Sequence, residues 1–343
     1  MKLRQFPFKN NAPGKSGAFS FVLLLALALG LPACRDKDQG ADWAGQKKAP
    51  ETAPAAPPAA LPKSPVKGDG SKVRFVAYNV ENWLVMERTD HGKRIAAPKP
   101  EKERATVTKI LVAAQPDILG LEEVGNEDDV KDVQQHLADA GWPMPHSHIN
   151  RGADPTRSLV LLSRFPITRP VYRKDLHYRL QGAEHAMQRG ILDATVDTPA
   201  GSYRFIGVHL KSKREVEDAN EEEMRLNEAQ ILRGQVEDLL TQDPQARLVV
   251  YGDFNDTRNS PAIRTIQGSG NGPTALTTLS LKDSHGQYWT HFWDYQDVYS
   301  RIDYVMLSPA LKDAVDRDKS RIIDEGEIGE GSDHRPLLVI LKK

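Results

Sequence analysis

Leu248-Val249-Val250-Tyr251-Gly252-Asp253-Phe254-Asn255-Asp256 and Ser332-Asp333-His334-Arg335-Pro336-Leu337-Leu338-Val339-Ile340 are the two stretches on which the reading of this 343-residue chain turns. Each joins an apolar, strand-like run to a knot of acidic, amide or imidazole side chains. In the first the polar group follows the strand, and in the second it precedes it. Strand ends can gather several polar groups around one point. Hydrolysis of a phosphate ester on a divalent cation needs such a gathering: hard oxygen ligands, a base for water and donors for the phosphoryl oxygens.

Working outward, the chain from Ser71 onward alternates strand-like and helix-like segments. Strands are expected at 73–80, 117–121, 159–162, 247–251, 301–307 and 336–341. Residues 191–196 and 203–210 bracket Thr198-Pro199-Ala200-Gly201 and read as a hairpin. Helices are expected at 101–114, 128–140 and 219–240. The mixture of alternating units and hairpins predicts an α/β protein with a large core, not a purely parallel doubly wound sheet. Neither glycine-rich phosphate loop is present, and 268–272 reads as a surface loop. No internal repeat is evident.

The N-terminal segment has a different character. Lys2, Arg4, Lys9 and Lys15 precede an apolar run from Ala18 to Leu31, and Cys34 follows at once as the single cysteine. The run is short for a membrane span, which takes roughly 20 residues, and suits a signal-peptide core. Leu31-Pro32-Ala33-Cys34 resembles the lipobox of bacterial lipoproteins, although Pro32 departs from the small residue usual there. That resemblance implies lipid attachment at Cys34 and anchoring in a bacterial cell envelope. Arg35, in place of an inner-membrane retention Asp, points to the outer membrane. An ordinary cleaved signal with a chance cysteine is the other reading. Residues 35–70, rich in Ala and Pro, read as an extended tether. The expected organisation is therefore signal segment 1–34, linker 35–70 and catalytic domain 71–343. With no second cysteine the domain must rely on its core rather than on an internal disulfide. The net charge of −1 argues against a surface coated for non-specific nucleic-acid binding, but not against a local basic groove.

Seven motifs stand in order: Tyr78-Asn79-Val80-Glu81-Asn82, Leu121-Glu122-Glu123-Val124, Leu162-Ser163-Arg164-Phe165-Pro166, Val208-His209-Leu210, Gly252-Asp253-Phe254-Asn255, Arg301-Ile302-Asp303-Tyr304 and Ser332-Asp333-His334-Arg335-Pro336. Together they resemble the endonuclease/exonuclease/phosphatase superfamily, the deoxyribonuclease I-like proteins, over residues 71–343. The resemblance implies an α/β fold of two stacked mixed β-sheets flanked by helices, a four-layer α/β/β/α sandwich with the site at one edge. It implies a metal-dependent phosphoesterase using Mg²⁺, Mn²⁺ or Ca²⁺.

Residue roles follow from that resemblance together with the chemistry of each side chain. Glu123 would bind the cation, with Asp333 in or beside the metal shell, and Asn79 would offer its amide oxygen to that shell or its amide donor to phosphate. Where the family has Gln-Glu this chain has Glu122-Glu123, and strand alternation turns only one of the two inward. Asp253 would orient or deprotonate the attacking water, or bind metal, and Asn255 would donate to phosphoryl oxygens. His334, supported by Asp303, would act as a base or hold transition-state charge. His209 would donate to a non-bridging oxygen or protonate the leaving group. Lys211 would face phosphate or belong to a solvated charge run continuing into Arg214-Glu215, and Arg189 would also reach phosphate.

Fold does not settle substrate. Asn79-Val80-Glu81-Asn82 and His209-Leu210-Lys211-Ser212-Lys213 look most like bacterial secreted or surface nucleases. The expectation is an endonuclease acting on nucleic acid, monomeric and without an obligate protein partner. The aromatic run Tyr288–Trp293 could stack on bases, belong to the core or form a lipid-facing wedge. Sphingomyelinase-like or inositol-phosphate phosphatase action is the alternative, and an inactive surface binding module is the reading from another class.

Overall fold

The computed structural model describes residues 70–343 apart from 174, 175 and 218. The signal segment, Cys34 and all but the last residue of the linker lie outside the described residues.

Two six-stranded mixed sheets face each other. The first runs in the order Arg321–Ile322, Leu337–Lys342, Lys72–Trp83, Ile118–Val124, Ser158–Ser163, His146–Asn150. The second runs Thr277–Thr278, Asp303–Leu307, Leu248–Asp253, Gly201–His209, Ile191–Thr198, Ile167–Val171. Each contains one parallel pair at its centre. Lys72–Trp83 lies parallel to Ile118–Val124 in one sheet, and Gly201–His209 to Leu248–Asp253 in the other. The remaining neighbours are antiparallel. The parallel pairs bring the C-terminal ends of four central strands to one rim.

Alternation along each strand builds three apolar layers. Phe75, Leu161, Phe205, Tyr251 and Val339 pack between the sheets. Val76, Leu119 and Leu338 face the other way, onto helices Glu101–Ala114 and Glu127–Asp139. Ile206, Val250 and Met306 likewise meet helices Glu221–Gln242 and Pro261–Gln267. The result is the expected four-layer α/β/β/α sandwich.

The middle layer is tightly filled around Tyr251. Its buried ring occupies the space that a Cβ on either Gly120 or Gly207 would fill, at 2.1 Å and 2.6 Å respectively. Gly120 faces the ring from the first sheet, and Gly207 is the direct pairing partner of Tyr251 in the second, so a side chain at either position would collide with Tyr251.

The long apolar strands and the amphipathic helices fall close to their expected places, with Glu101–Ala114 matching residue for residue. Three small hairpins, Met86–Asp90 with Lys93–Ala97, His177–Leu180 with Ala183–Ala186, and His291–Trp293 with Val298–Ser300, were not anticipated. Nor were strands His146–Asn150 and Ile167–Val171 or helix Pro261–Gln267. They are short and largely polar, so period-two hydrophobicity is weak in them.

Gly120→Ala is expected to cost about 1–3 kcal/mol, the range for overpacking a dense core. Thermal or urea unfolding checks this; an unchanged midpoint would mean that Tyr251 moves freely.

Candidate active site

The rim formed by the strand ends holds a polar cleft of about 300 Å³. Asn79, near the end of its strand, Glu123 and the segment just before Leu337–Lys342 come from the first sheet. His209, Asp253 and Asp303 come from the second. Neither sheet contains the site alone.

Oδ2 of Asp253 is the meeting point. Asn79 Nδ2 donates to it at 3.2 Å and Asn255 Nδ2 at 3.3 Å. His209 Nε2 lies 3.6 Å away and His334 Nε2 3.7 Å away. Oδ1 accepts from the backbone N–H of Asn255 at 2.8 Å. Burial pushes the Asp253 carboxyl up to about 7, against the opposing pull of His334. A carboxylate of that kind can take a proton near neutral pH.

His334 is held from behind. Its Nδ1 lies 3.1 Å and 3.0 Å from the two Asp303 oxygens, which leaves Nε2 facing the cleft. Thr290 Oγ1 accepts the backbone N–H groups of both Ile302 and Asp303, each at 3.1 Å, and so fixes Asp303. Ser332 Oγ donates to the Asn79 carbonyl at 2.8 Å and accepts from His334 N at 3.1 Å, tying the two motifs together. Burial opposes a charge on His334. Asp303, Asp253 and Asp333 outweigh it and hold the imidazole well above its ordinary value. The surroundings of the ring therefore favour its imidazolium form.

His209 is the opposite case. Burial, reinforced by Arg189, His334 and Arg157, pushes it well below its ordinary value. Its Nε2 lies 4.0 Å from Glu123 Oε1, while the buried Nδ1 has no hydrogen-bond partner. The two histidines are thus pushed in opposite directions by surroundings alone.

The two glutamates separate as strand alternation requires. Glu123 lines the cleft: its Oε2 accepts from Asn82 N at 3.1 Å and its Oε1 from Asn79 Nδ2 at 3.3 Å. Glu122 is 1 % exposed and turned into the middle layer. Burial, then Asp303 and Asp253, pushes its carboxyl well above the usual range, and Oε1 has no hydrogen-bond partner. It is a neutral buried acid.

Three expectations are corrected. Lys211 does not face phosphate: it is buried, and its Nζ donates to the carbonyls of Ser212 at 3.0 Å and Arg214 at 2.7 Å. Asn79 does not present an oxygen to the cleft, because Oδ1 accepts the Glu81 N–H at 3.0 Å and only Nδ2 faces the carboxylates. Asn255 directs its amide donors to Leu210 O, at 3.0 Å, and to Asp253, so it positions Asp253.

Arg189 does line the cleft, beside Asp154 at 3.5 Å. Arg157, Arg214, Glu81, Asn82, Ser212 and His291 line it as well and were not singled out from sequence. Arg157 donates to Asn82 Oδ1 at 2.8 Å and lies 3.6 Å from Glu123. Asp333, half-exposed, lies 3.5 Å from His291 and 3.8 Å from His334. Burial opposes its ionisation, but His334 and His291 hold it below the usual carboxylate range. The arginines have no motif spacing, since separate loops deliver them. Glu81, Asn82, Glu123 and Asn255 all adopt left-handed backbone, with φ of 48°, 61°, 64° and 51°. Four strained positions beside one cleft suit a site over-determined by its surroundings.

The donor set fits a hard divalent cation. Glu123, Asp253 and Asp333 turn carboxylate oxygens toward one cleft, and a dication would relieve their crowding. Two His/Asp groups, His291-Asp333-His334 and Asp253-Asp303-His334, each bring ligand-type atoms within 4.8 Å of one another.

A two-sheet sandwich with a carboxylate-backed histidine and further acids at one rim defines the deoxyribonuclease I-like class of proteins. The chain belongs to the Endonuclease/Exonuclease/phosphatase family, whose model matches residues 91–334. Members of this family are generally phosphoester hydrolases and typically use divalent metals. The human Nocturnin catalytic domain with bound sulfate anion is 18% identical, with a TM-score of 0.55 over 79% of this chain and 95% of that one. Truncated TDP2 from Caenorhabditis elegans is 17% identical, with a TM-score of 0.53 over 80% and 98%. The endonuclease/exonuclease/phosphatase from Bacteroides vulgatus is 16% identical, with a TM-score of 0.53 over 79% and 99%. At these identities the likeness is one of fold. A comparison of the sequence with curated proteins finds no match.

Glu122→Gln is expected to stabilise the protein at alkaline pH. The folded pKa of Glu122 is raised, so its protonated form contributes stability below the ordinary carboxyl range and loses it as pH rises above that range. The amide removes the loss, and Tm at pH 8 should rise by about 2 °C or more relative to wild type. A fall in Tm at pH 8 would mean that the buried carboxyl is ionised and bonded.

Proposed function

We propose that this chain is a divalent-metal-dependent phosphodiesterase that cleaves nucleic acid by in-line attack of water. The observation that carries the reading is the convergence of His209, His334, Asn79 and Asn255 on one Asp253 oxygen, beside Glu123 and Asp333. Asp253 takes the proton of the attacking water, and Asn255 and Asn79 hold its carboxylate in place. The His334 imidazolium, backed by Asp303, faces the phosphoryl oxygens and balances their charge in the transition state. Neutral His209 donates a hydrogen bond from Nε2 to a non-bridging oxygen. Glu123 and Asp333 would hold Mg²⁺ or Mn²⁺, which when bound neutralises charge on the leaving oxygen.

Nucleic acid is favoured by the cationic wall. Arg157, Arg189 and Arg214 line the same cleft, where they can also meet phosphates flanking the scissile one, which a polynucleotide brings. We further place the protein in a bacterial cell envelope, tethered through Cys34, on the strength of the N-terminal sequence. Globomycin treatment of expressing cells tests this: accumulation of unprocessed precursor is expected.

The deciding assay offers the full-length protein supercoiled plasmid, single-stranded RNA, sphingomyelin and inositol phosphates with Mg²⁺ or Mn²⁺. Nicking or RNA cleavage abolished by EDTA is expected. Release of phosphocholine or inorganic phosphate alone would overturn the nuclease reading. His334→Ala and Asp253→Ala should each lower turnover at least about 100-fold; near-native turnover in either would remove that residue from the reaction. Glu123→Gln should raise the cation concentration needed for half-maximal activity more than Glu122→Gln does. With the Asp253 carboxyl pushed up to about 7, the base is protonated below that pH and kcat/KM should rise through it. A flat profile between about pH 5 and 8 would exclude a titrating base here.

A further inference from the structure

The hairpin His291–Trp293 with Val298–Ser300 grows directly out of the active site. His291 bridges to His334, the two rings lie 4.7 Å apart, and Phe292 N–H donates to Asp333 O at 3.0 Å. The two faces of the hairpin differ. On one, Phe292 stacks on Tyr299 with centroids 4.4 Å apart, and Trp289 meets the Tyr299 edge at 4.8 Å. The Arg335 guanidinium backs Trp289 at 3.9 Å and bonds Asp283 at 2.9 Å. That face is cross-braced ring to ring, although Tyr299 itself stays 58% exposed.

The other face is the one His291 shares. Residues two apart in a strand lie on one side, about 7 Å from each other. Trp293 therefore lies on the same side of the hairpin as the cleft-lining His291, one step further from the cleft, with Val298 opposite it across the pair. Trp293 is 48% exposed, and its recorded ring neighbour is Tyr295, tilted at 6.0 Å and itself 85% exposed. A large indole left open beside a polar catalytic cleft contributes nothing to the core.

Resting on the nuclease reading above, we propose that Trp293 is a base-stacking platform for the nucleotide next to the scissile phosphate, so that the substrate is single-stranded or unpaired nucleic acid. A ring can stack only on a base whose face is free, and a duplex hides both faces of its internal bases. The stretch 291–300 carries no Lys or Arg, so it offers ring faces rather than charge to this nucleotide. Phosphate is served instead by Arg157, Arg189 and Arg214 in the cleft. A bilayer wedge is disfavoured by the tip, Asp294-Tyr295-Gln296-Asp297, whose two carboxylates would have to leave water.

The test measures kcat/KM of the full-length protein on a 20-nucleotide single strand and on the same sequence as a blunt duplex. Trp293→Ala should lower the single-strand to duplex ratio about tenfold, the loss of one base stack. Trp293→Phe, which keeps a ring, should restore most of the ratio. Tyr172→Ala, an exposed ring on another part of the surface, should leave the ratio at the wild-type value. An unchanged ratio in Trp293→Ala, with nuclease activity present, would overturn the platform while leaving the nuclease reading intact. So would binding to phosphatidylcholine vesicles that is lost in Trp293→Ala without change in the ratio. Hydrolysis of bis-p-nitrophenyl phosphate with no cleavage of either oligonucleotide would overturn the nuclease reading, and this inference with it.

Discussion

One carboxylate oxygen joins the two halves of this molecule. Asp253 Oδ2 stands at the end of a second-sheet strand and is approached by Asn79 and His334 from the first sheet and by His209 and Asn255 from its own side. An acid 2% exposed is costly unless its lone pairs are met. Those nitrogens meet them only when both sheets stand in register at this rim. Packing of the sandwich and preparation of the site are in that sense one problem. Ser332, which bonds the Asn79 carbonyl and the His334 amide at once, is part of the same solution.

The same burial that strains the charges also assigns them. Two histidines beside one Asp253 oxygen are pushed in opposite directions, His334 up by the three acids around it and His209 down by burial and then by Arg189, His334 and Arg157. Adjacent glutamates diverge in the same way. Glu123 reaches the cleft, while Glu122 is sealed beneath it beside Tyr251, which lies near enough for Glu122 to raise its phenol further. The ring of Tyr251 in turn stands against Gly120 and Gly207, so the spacing of the sheets and the surroundings of the acids depend on the same contacts.

Much of this could be read from the chain. Strongly apolar runs announced the central strands of both sheets, and the residues beyond their ends named Asp253, Asp303, His334, His209 and Glu123 as a group. Short elements were harder. His146–Asn150 buries His148 and Asn150 where a pattern reader expects apolar side chains, and the hairpins are too brief for periodicity to show. Lys211 and Asn79 were misjudged for a common reason. Residue type says which atoms are available to a ligand, but neighbouring carbonyls and amides claim them first.

The sequence by itself placed the main strands and helices, because alternation is local and survives without coordinates, while the sandwich and the grouping of candidate site residues were implied by the resemblance of seven ordered motifs. Only the tertiary structure decided which nitrogen or oxygen each member turns inward, which way burial and neighbours push each histidine, which glutamate is sealed, and that Arg157, Arg214 and His291 border the same cleft. Those properties arise from groups distant in sequence that the two sheets bring to one rim, where burial and the fields of neighbours set orientation and charge.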